Sequence, residues 1–285
     1  MVRSGVATRP VLPPGLQLLR PLDEAHGRCV WLAVDRHLDR LVVVKRLSGN
    51  DRELRSVALL SDVQAPSLAR IYGVHRHRDC HWLLCEFVDG TTLSDAEVLW
   101  PAGAVLPLML DLLEAIMAMS DAGVVHCDIS PGNVLVDANE RARLVDYGIA
   151  ARQGEAVSGA GTPGFAPPEA VKALCCDGAA DLWSLAALGC WLLTLEAPYW
   201  VTRDDGQAVL ILPAWRPADG LAQALWQILR RALALDPAAR PTSADCRNQL
   251  RDLERLFTEG DRGTLRRQLQ RLRPTVDRQD SRPAS

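Results

Sequence analysis

From Leu16 onward the chain carries three short apolar-rich runs, Leu16–Leu22, Cys29–Val34 and Arg40–Leu47, each bounded by polar or turn-forming residues. That pattern predicts three β-strands. The last run holds Leu41-Val42-Val43-Val44, a near-continuous apolar string suited to a strand buried on both faces. Asn50 and Asp51 then offer an N-cap for a helix running to about Leu60, and Ala69–Val74 and His81–Phe87 complete a small sheet. After Val88-Asp89-Gly90 the period lengthens. Val105–Met119, Leu182–Leu195, Leu221–Leu235 and Ser243–Leu256 repeat apolar residues three and four apart, the spacing of helices with a buried face. Short strands around Val134–Val136 and Arg143–Val145 interrupt this helical stretch. The expectation is an α+β chain with a β-rich half bearing one helix over 15–87, a larger helical half over 91–257, and a ligand cleft at their junction. Residues 1–14 read as a flexible lead-in. Residues 258–285 read as an Arg-rich tail in which Leu265, Leu269 and Leu272 line one face of a short helix.

Composition narrows the class of protein. At 285 residues, 48% hydrophobic and 24% charged, the chain has the make-up of an ordinary globular protein, and its net charge of −3 gives no pull toward nucleic acid or anionic membrane. Eight cysteines sit at neither zinc-ligand spacings nor the density of a disulfide framework, so adjacent Cys175 and Cys176 read as packed or half-exposed thiols. The N-terminus has no apolar h-region, and Leu182–Leu195 is shorter than the roughly 18 residues of a membrane span. A cytoplasmic protein without a span is expected, and the sequence carries no signal for an oligomeric state. Of 32 basic residues only Lys45 and Lys172 are lysines. A lysine kept in so arginine-biased a chain, at the end of a strand, is a candidate for chemistry that needs a compact point charge.

The segments that carry chemistry lie mostly in the helical half. In Val125-His126-Cys127-Asp128-Ile129-Ser130-Pro131-Gly132-Asn133, followed by apolar Val134-Leu135-Val136, a carboxylate can orient a hydroxyl and an amide oxygen five residues on can ligate a metal. Leu144-Val145-Asp146-Tyr147-Gly148 adds a second carboxylate beside a strand, with a glycine for a sharp turn. Gly161-Thr162-Pro163-Gly164-Phe165-Ala166-Pro167-Pro168-Glu169, Asp181-Leu182-Trp183 and Asp236-Pro237-Ala238-Ala239-Arg240-Pro241-Thr242 follow.

Together these segments resemble the protein kinases, of the bacterial serine/threonine type, over about residues 16–257. Asp128 and Asn133 match H-x-D-x-x-x-x-N, Asp146 matches D-F-G with tyrosine for phenylalanine, and Pro-Pro-Glu stands for Ala-Pro-Glu. The resemblance implies a bilobal fold that transfers the γ-phosphate of ATP, with Mg²⁺ or Mn²⁺, to serine or threonine hydroxyls of a partner protein. It implies that Asp128 orients the hydroxyl, that Asn133 and Asp146 hold metal, and that Thr162 bonds Asp128. Lys45, closing Leu41-Val42-Val43-Val44-Lys45 like the family's V-A-I-K, would meet the α- and β-phosphates, with Glu53 or else Asp51 as its carboxylate partner. Backbone groups of Glu86 and Val88 would bond adenine, Asp89 would reach the ribose, and Cys85 would stand at the gatekeeper position. Asp181 would anchor the catalytic-loop backbone, and Arg240 would pair with Glu169.

Three departures stand out. Asp23-Glu24-Ala25-His26-Gly27-Arg28 replaces G-x-G-x-x-G and keeps only Gly27. Ser130 stands where the family has a lysine that touches the transferring phosphate, and Cys127 where it has an arginine that clamps a phosphorylated residue. Activation by phosphorylation of 149–160, whose one hydroxyl is Ser158, is therefore not expected. An active kinase is the favoured reading. A pseudokinase scaffold remains the alternative, and a small-molecule phosphotransferase is disfavoured by Thr162, Glu169, Asp181 and Arg240.

Overall fold

A computed structural model of the chain describes residues 12–23, 30–47, 51–95, 98–157, 161–172, 174–204 and 208–256. Gly27, Ala25 and Arg28 of the altered glycine-loop region lie outside them, as do Ser158 and the tail. The chain divides into two compact units, one formed by residues up to Ser61 with Ala69–Phe87, the other by Asp62–Leu68 and the chain from Val88 onward.

The first unit is a five-stranded antiparallel sheet with one helix. Its strands are β1 (Leu16–Asp23), β2 (Val30–Asp35), β3 (Arg40–Leu47), β4 (Ile71–His77) and β5 (Cys80–Glu86), in the order β1-β2-β3-β5-β4, and α1 (Asp51–Leu60) follows β3. Ala33, Val42, Val44, Trp82 and Leu84 form its core, with the Trp31 ring tilted at 54° against Trp82 at 5.7 Å between ring centroids. Two expectations change here. β3 is not buried on both faces, since Val42 and Val44 are wholly inside while Leu41 is 40% exposed. One-sided burial is what an antiparallel sheet allows. The end of the expected lead-in is also packed, with Pro13 buried and Leu12 lying against the core cluster.

In the second unit β6 (Gly90–Thr92) precedes α2 (Ala102–Asp121), and β7 (Val124–Val125), β8 (Val134–Asp137), β9 (Ala142–Leu144) and β10 (Ala151–Arg152) follow. Then come α3 (Pro168–Val171), α4 (Gly178–Thr194), the hairpin β11 (Tyr199–Thr202) and β12 (Ala208–Ile211), α5 (Gly220–Ala232) and α6 (Ser243–Glu254). Every residue of α4 from Ala180 to Leu193 except Trp191 is buried, as befits a helix apolar on all sides. α2 packs against α4, α5 and α6. It is the one described helix long and apolar enough to cross a membrane, with mean hydropathy 1.8, but 78% of that stretch is buried inside the protein, the environment of a core helix. Asp177, Asp219 and Thr242 cap α4, α5 and α6, each side chain accepting a backbone N–H of the first turn at 2.8–3.0 Å.

Residues 62–68, expected in the small half, belong with the second unit. The Leu144 N–H donates to the Ser67 carbonyl at 2.8 Å, which docks this loop on β9. α5 stops at Ala232 rather than Leu235, which is 51% exposed.

The described thiols separate sharply. Burial pushes Cys190 up to about 12 and Cys176 and Cys246 to about 11, whereas Cys175 is exposed. Iodoacetamide at pH 8 should therefore alkylate Cys175 within minutes and leave Cys176, Cys190 and Cys246 unmodified until denaturant is added, as read by peptide mass mapping.

Candidate active site

The site grows from a buried carboxylate on α4. Asp181 is 1% exposed, and its two oxygens accept the backbone N–H groups of His126 at 2.7 Å and Cys127 at 3.0 Å. Burial raises its pKa, and the neighbouring His126 ring together with these two N–H groups opposes the rise. The loop so anchored passes through Cys127 with a left-handed backbone, φ +68°, uncommon for a residue other than glycine. The Asp128 N–H donates to His126 Nδ1 at 3.3 Å, leaving the imidazole proton on Nε2, and the ring meets Tyr147 edge-on at 5.6 Å.

Both oxygens of Asp128 are engaged. Oδ1 accepts from the Thr162 N–H at 2.9 Å and the Thr162 hydroxyl at 2.7 Å, and Oδ2 accepts from Asn133 Nδ2 at 2.8 Å. Asn133 Nδ2 also donates to the Asp128 carbonyl at 2.9 Å. Gly161, at φ +101°, makes the approach of Thr162 possible, since a Cβ there would lie 3.1 Å from the Cys127 carbonyl oxygen. Thus the structure brings Asp128, Asn133 and Thr162 into direct contact.

Asp146 is tied to the same group through the backbone, because the Val145 N–H donates to the Asn133 carbonyl at 2.9 Å. Its φ of +61° is one that aspartate tolerates better than most residues, and its Oδ1 accepts the Gly148 N–H at 3.2 Å. Asn133 spends its amide nitrogen on Asp128, so the amide oxygen is its remaining acceptor. A hard-oxygen pair of one amide and one carboxylate fits Mg²⁺, which takes few protein ligands and completes its shell with water and phosphate. Among the described residues no group of three or more His, Cys, Asp or Glu forms a metal cage of its own.

Ser130 is 3% exposed, and its carbonyl accepts the Asn133 N–H at 3.0 Å. The position is a buried corner of the loop, where a lysine would need a new route to solvent. Of the residues expected in the second unit, Val88 is buried and Asp89 exposed. In the first unit Lys45 is half-buried on β3, its register partners being Val30 and Leu83, and Glu53 is the third residue of α1. The helix starts at Asp51, as the short gap from Lys45 requires. The Glu86 carboxylate accepts the Arg70 N–H at 3.0 Å, and the Glu86 N–H donates to the Arg70 carbonyl at 2.8 Å.

A buried ion pair secures the far end of the site. The Arg240 guanidinium donates to both Glu169 oxygens at 2.6 and 2.8 Å, and to the carbonyls of Ala234 and Ala179 at 2.9 Å each. The pair expected from sequence is thus formed. A half-exposed pair, Asp111 with Arg141, has no counterpart in the sequence expectations. Asp111 is buried on α2 and accepts from Arg141 Nε and the Ala142 N–H at 2.9 Å each, which fixes the β8–β9 turn. Burial raises the pKa of Asp111 against the pull of Arg141. Its only sequence signal is an acid, with Glu114 one turn on, in the middle of a largely apolar helix.

The second unit thus carries a carboxylate held on both oxygens by an amide and a threonine, with a second acid, Asp146, tied to the same loop through the backbone. The model of the protein kinase domain matches residues 25–250, and the chain belongs to that family. It is 30% identical to the serine/threonine-protein kinase pkn2 of Myxococcus xanthus, over 82% of this chain and 32% of that protein. It is also 30% identical to the serine/threonine-protein kinase PknG of Mycolicibacterium smegmatis, over 78% and 30%, and 26% identical to the human serine/threonine-protein kinase PAK 4, over 79% and 40%. The chain therefore spans about a third of the length of these relatives.

Removing Arg240 strands a buried Glu169 carboxylate. Arg240→Ala should lower stability by about 3–5 kcal/mol in urea unfolding, and Glu169→Gln in that background should recover part of the loss.

Proposed function

We propose that this protein transfers the γ-phosphate of ATP to serine or threonine hydroxyls of a partner protein. The observation that supports it best is the Asp128 carboxylate. Thr162 and Asn133 fix its plane, and Asp181 fixes the backbone that carries it, so it can receive a hydroxyl hydrogen in one orientation. A scaffold has no chemical need for that arrangement. The kinase relatives support the same reading.

Asp128 would orient the incoming hydroxyl and accept its proton as the oxygen–phosphorus bond forms, and Thr162 would help place the substrate backbone. Asn133 Oδ1 and Asp146 would hold Mg²⁺, which when bound supplies the charge that neutralises the phosphates; Mn²⁺ meets the same donors. Lys45, oriented by Glu53, would meet the α- and β-phosphates. Glu86 and Val88 would present backbone groups to adenine, with Asp89 toward the ribose and Gly27 in the loop over the phosphates. Little covalent work falls to the protein, and rate enhancement comes from position and charge. We further propose that the chain acts in the cytoplasm, with 15–257 as its kinase domain.

The test is transfer of labelled γ-phosphate from Mg-ATP to the protein itself and to a generic basic protein. Wild type should incorporate label and Asp146→Ala should not; absence of label under all substrates and with Mn²⁺ would sink the proposal. Asp128→Asn should reduce kcat by about 10²- to 10⁴-fold. Thr162→Val, which deletes one hydrogen bond of about 1 kcal/mol, should cost roughly fivefold in kcat with little change in the KM for ATP.

A further inference from the structure

Between Gly148 and Pro167 the chain must be held so that Thr162 reaches Asp128, yet Cys127 stands where a cation would seize a phosphorylated residue. The structure shows what holds it instead. β10 pairs with β7, aligning Ala151 with Val125, and Gln153 donates through its N–H to the Gly123 carbonyl at 2.9 Å and through Nε2 to the Ser120 hydroxyl at 2.8 Å. The Gly154 N–H donates to the Cys176 carbonyl at 2.8 Å, and Ala156 bridges Cys175. Val157, with no exposed surface, then enters a cluster of Val125, Cys127, Ala151, Ala170, Cys176 and Ala180.

Of those neighbours, Val125 lies on β7 and Cys127 in the catalytic loop, Ala151 on β10, Ala170 on α3, Cys176 just before α4 and Ala180 on α4 itself. Cys127 is buried, and its thiol donates to the Val125 carbonyl at 3.5 Å, so the residue beside Asp128 presents an apolar wall to the segment. The members of the cluster are all small apolar side chains or thiols, and the carboxylates of Glu169, Asp181 and Asp177 lie close enough to help hold the Cys176 thiol up. A phosphate brought to it would lose its water and meet the repulsion of those carboxylates.

We infer that Val157 is the positioning residue of this segment, an apolar wedge that seats it on the catalytic loop in place of a phosphate–arginine clamp, so that activity is constitutive with respect to phosphorylation of 149–160. The inference rests on the kinase reading for its consequence, though the wedge itself acts whether or not phosphate is transferred.

Two measurements on the full chain separate these. In amide hydrogen exchange, Val157→Asp should speed exchange of peptides covering 151–157 by about tenfold or more while peptides from α2 and α4 stay protected, and Val157→Ile should retain wild-type protection. If Val157→Asp unfolds the whole unit, as loss of protection in α4 would reveal, Val157→Ala takes its place with an expected change of about fivefold. Unchanged exchange at 151–157 overturns the wedge. In kinetics, phosphatase treatment of wild type and Ser158→Ala should each leave kcat unchanged, while Val157→Asp should raise the KM for a protein substrate about tenfold and leave the KM for ATP unaltered. Activity abolished by phosphatase or by Ser158→Ala overturns constitutive activity. A wild type that transfers no phosphate defeats the kinase reading alone, and the exchange data still decide the wedge.

Discussion

The Asp181 carboxylate beneath the catalytic loop is the interaction on which the rest of the site depends. A carboxyl group with 1% exposure has lost its hydration, and the protein offsets that loss with two backbone N–H groups at 2.7 and 3.0 Å. The offset works only if the His126 and Cys127 amides both point inward. That demand shapes the loop, including the left-handed turn at Cys127, and so fixes where Asp128 emerges. Because α4 is buried along almost its whole length, the acid it carries cannot drift. A rigid apolar helix thereby sets the position of a polar loop.

From that anchor the polar contacts extend outward through pairs that satisfy one another. Asp128 takes Thr162 on one oxygen and Asn133 on the other, and Glu169 with Arg240 ties α3 to α4 and to the turn before α6. None of these gives much net stability by itself, since each must first offset its own desolvation. Their common effect is on geometry. A buried carboxylate with two fixed donors has one acceptable orientation, whereas an apolar side chain of equal volume would have several. Positioning is what phosphoryl transfer needs from a protein, and these pairs supply it.

Most of this was legible in the sequence, because the residues concerned are functional polar groups at set spacings. Asp128, Asn133 and Asp146 flank short strands, Asp181 opens an apolar helix, and the Glu169–Arg240 partners sit in distinctive segments. Helices and strands followed from apolar period, and their ends erred where exposed leucines such as Leu235 extended the pattern past the packed turn. What escaped depends on contacts that sequence spacing does not encode. Asp111 finds Arg141 thirty residues away, the loop at Ser67 joins β9, and β11–β12 forms a hairpin. β3 looked two-sided because valine and leucine fill exposed strand positions as readily as buried ones. The Val157 cluster was invisible for a related reason: alanine, valine and cysteine are so common that their convergence leaves no motif.

That cluster bears on how such a site can be controlled. A phosphate–arginine clamp is strong only when the modification is present, so its free energy is conditional and a phosphatase can remove it. Burying a valine side chain stabilises by about 1.5–2 kcal/mol whenever the chain is folded, and no modifying enzyme can withdraw it. Exchanging the first for the second removes a switch and makes the seated segment the resting state. On the proposed function, regulation of transfer would then act on something other than the segment, either on the delivery of the protein substrate or on the nucleotide. The glycine-loop region, where Asp23, Glu24 and Arg28 replace an all-amide cradle with charged side chains, is the part of this sequence whose chemistry would respond to such control.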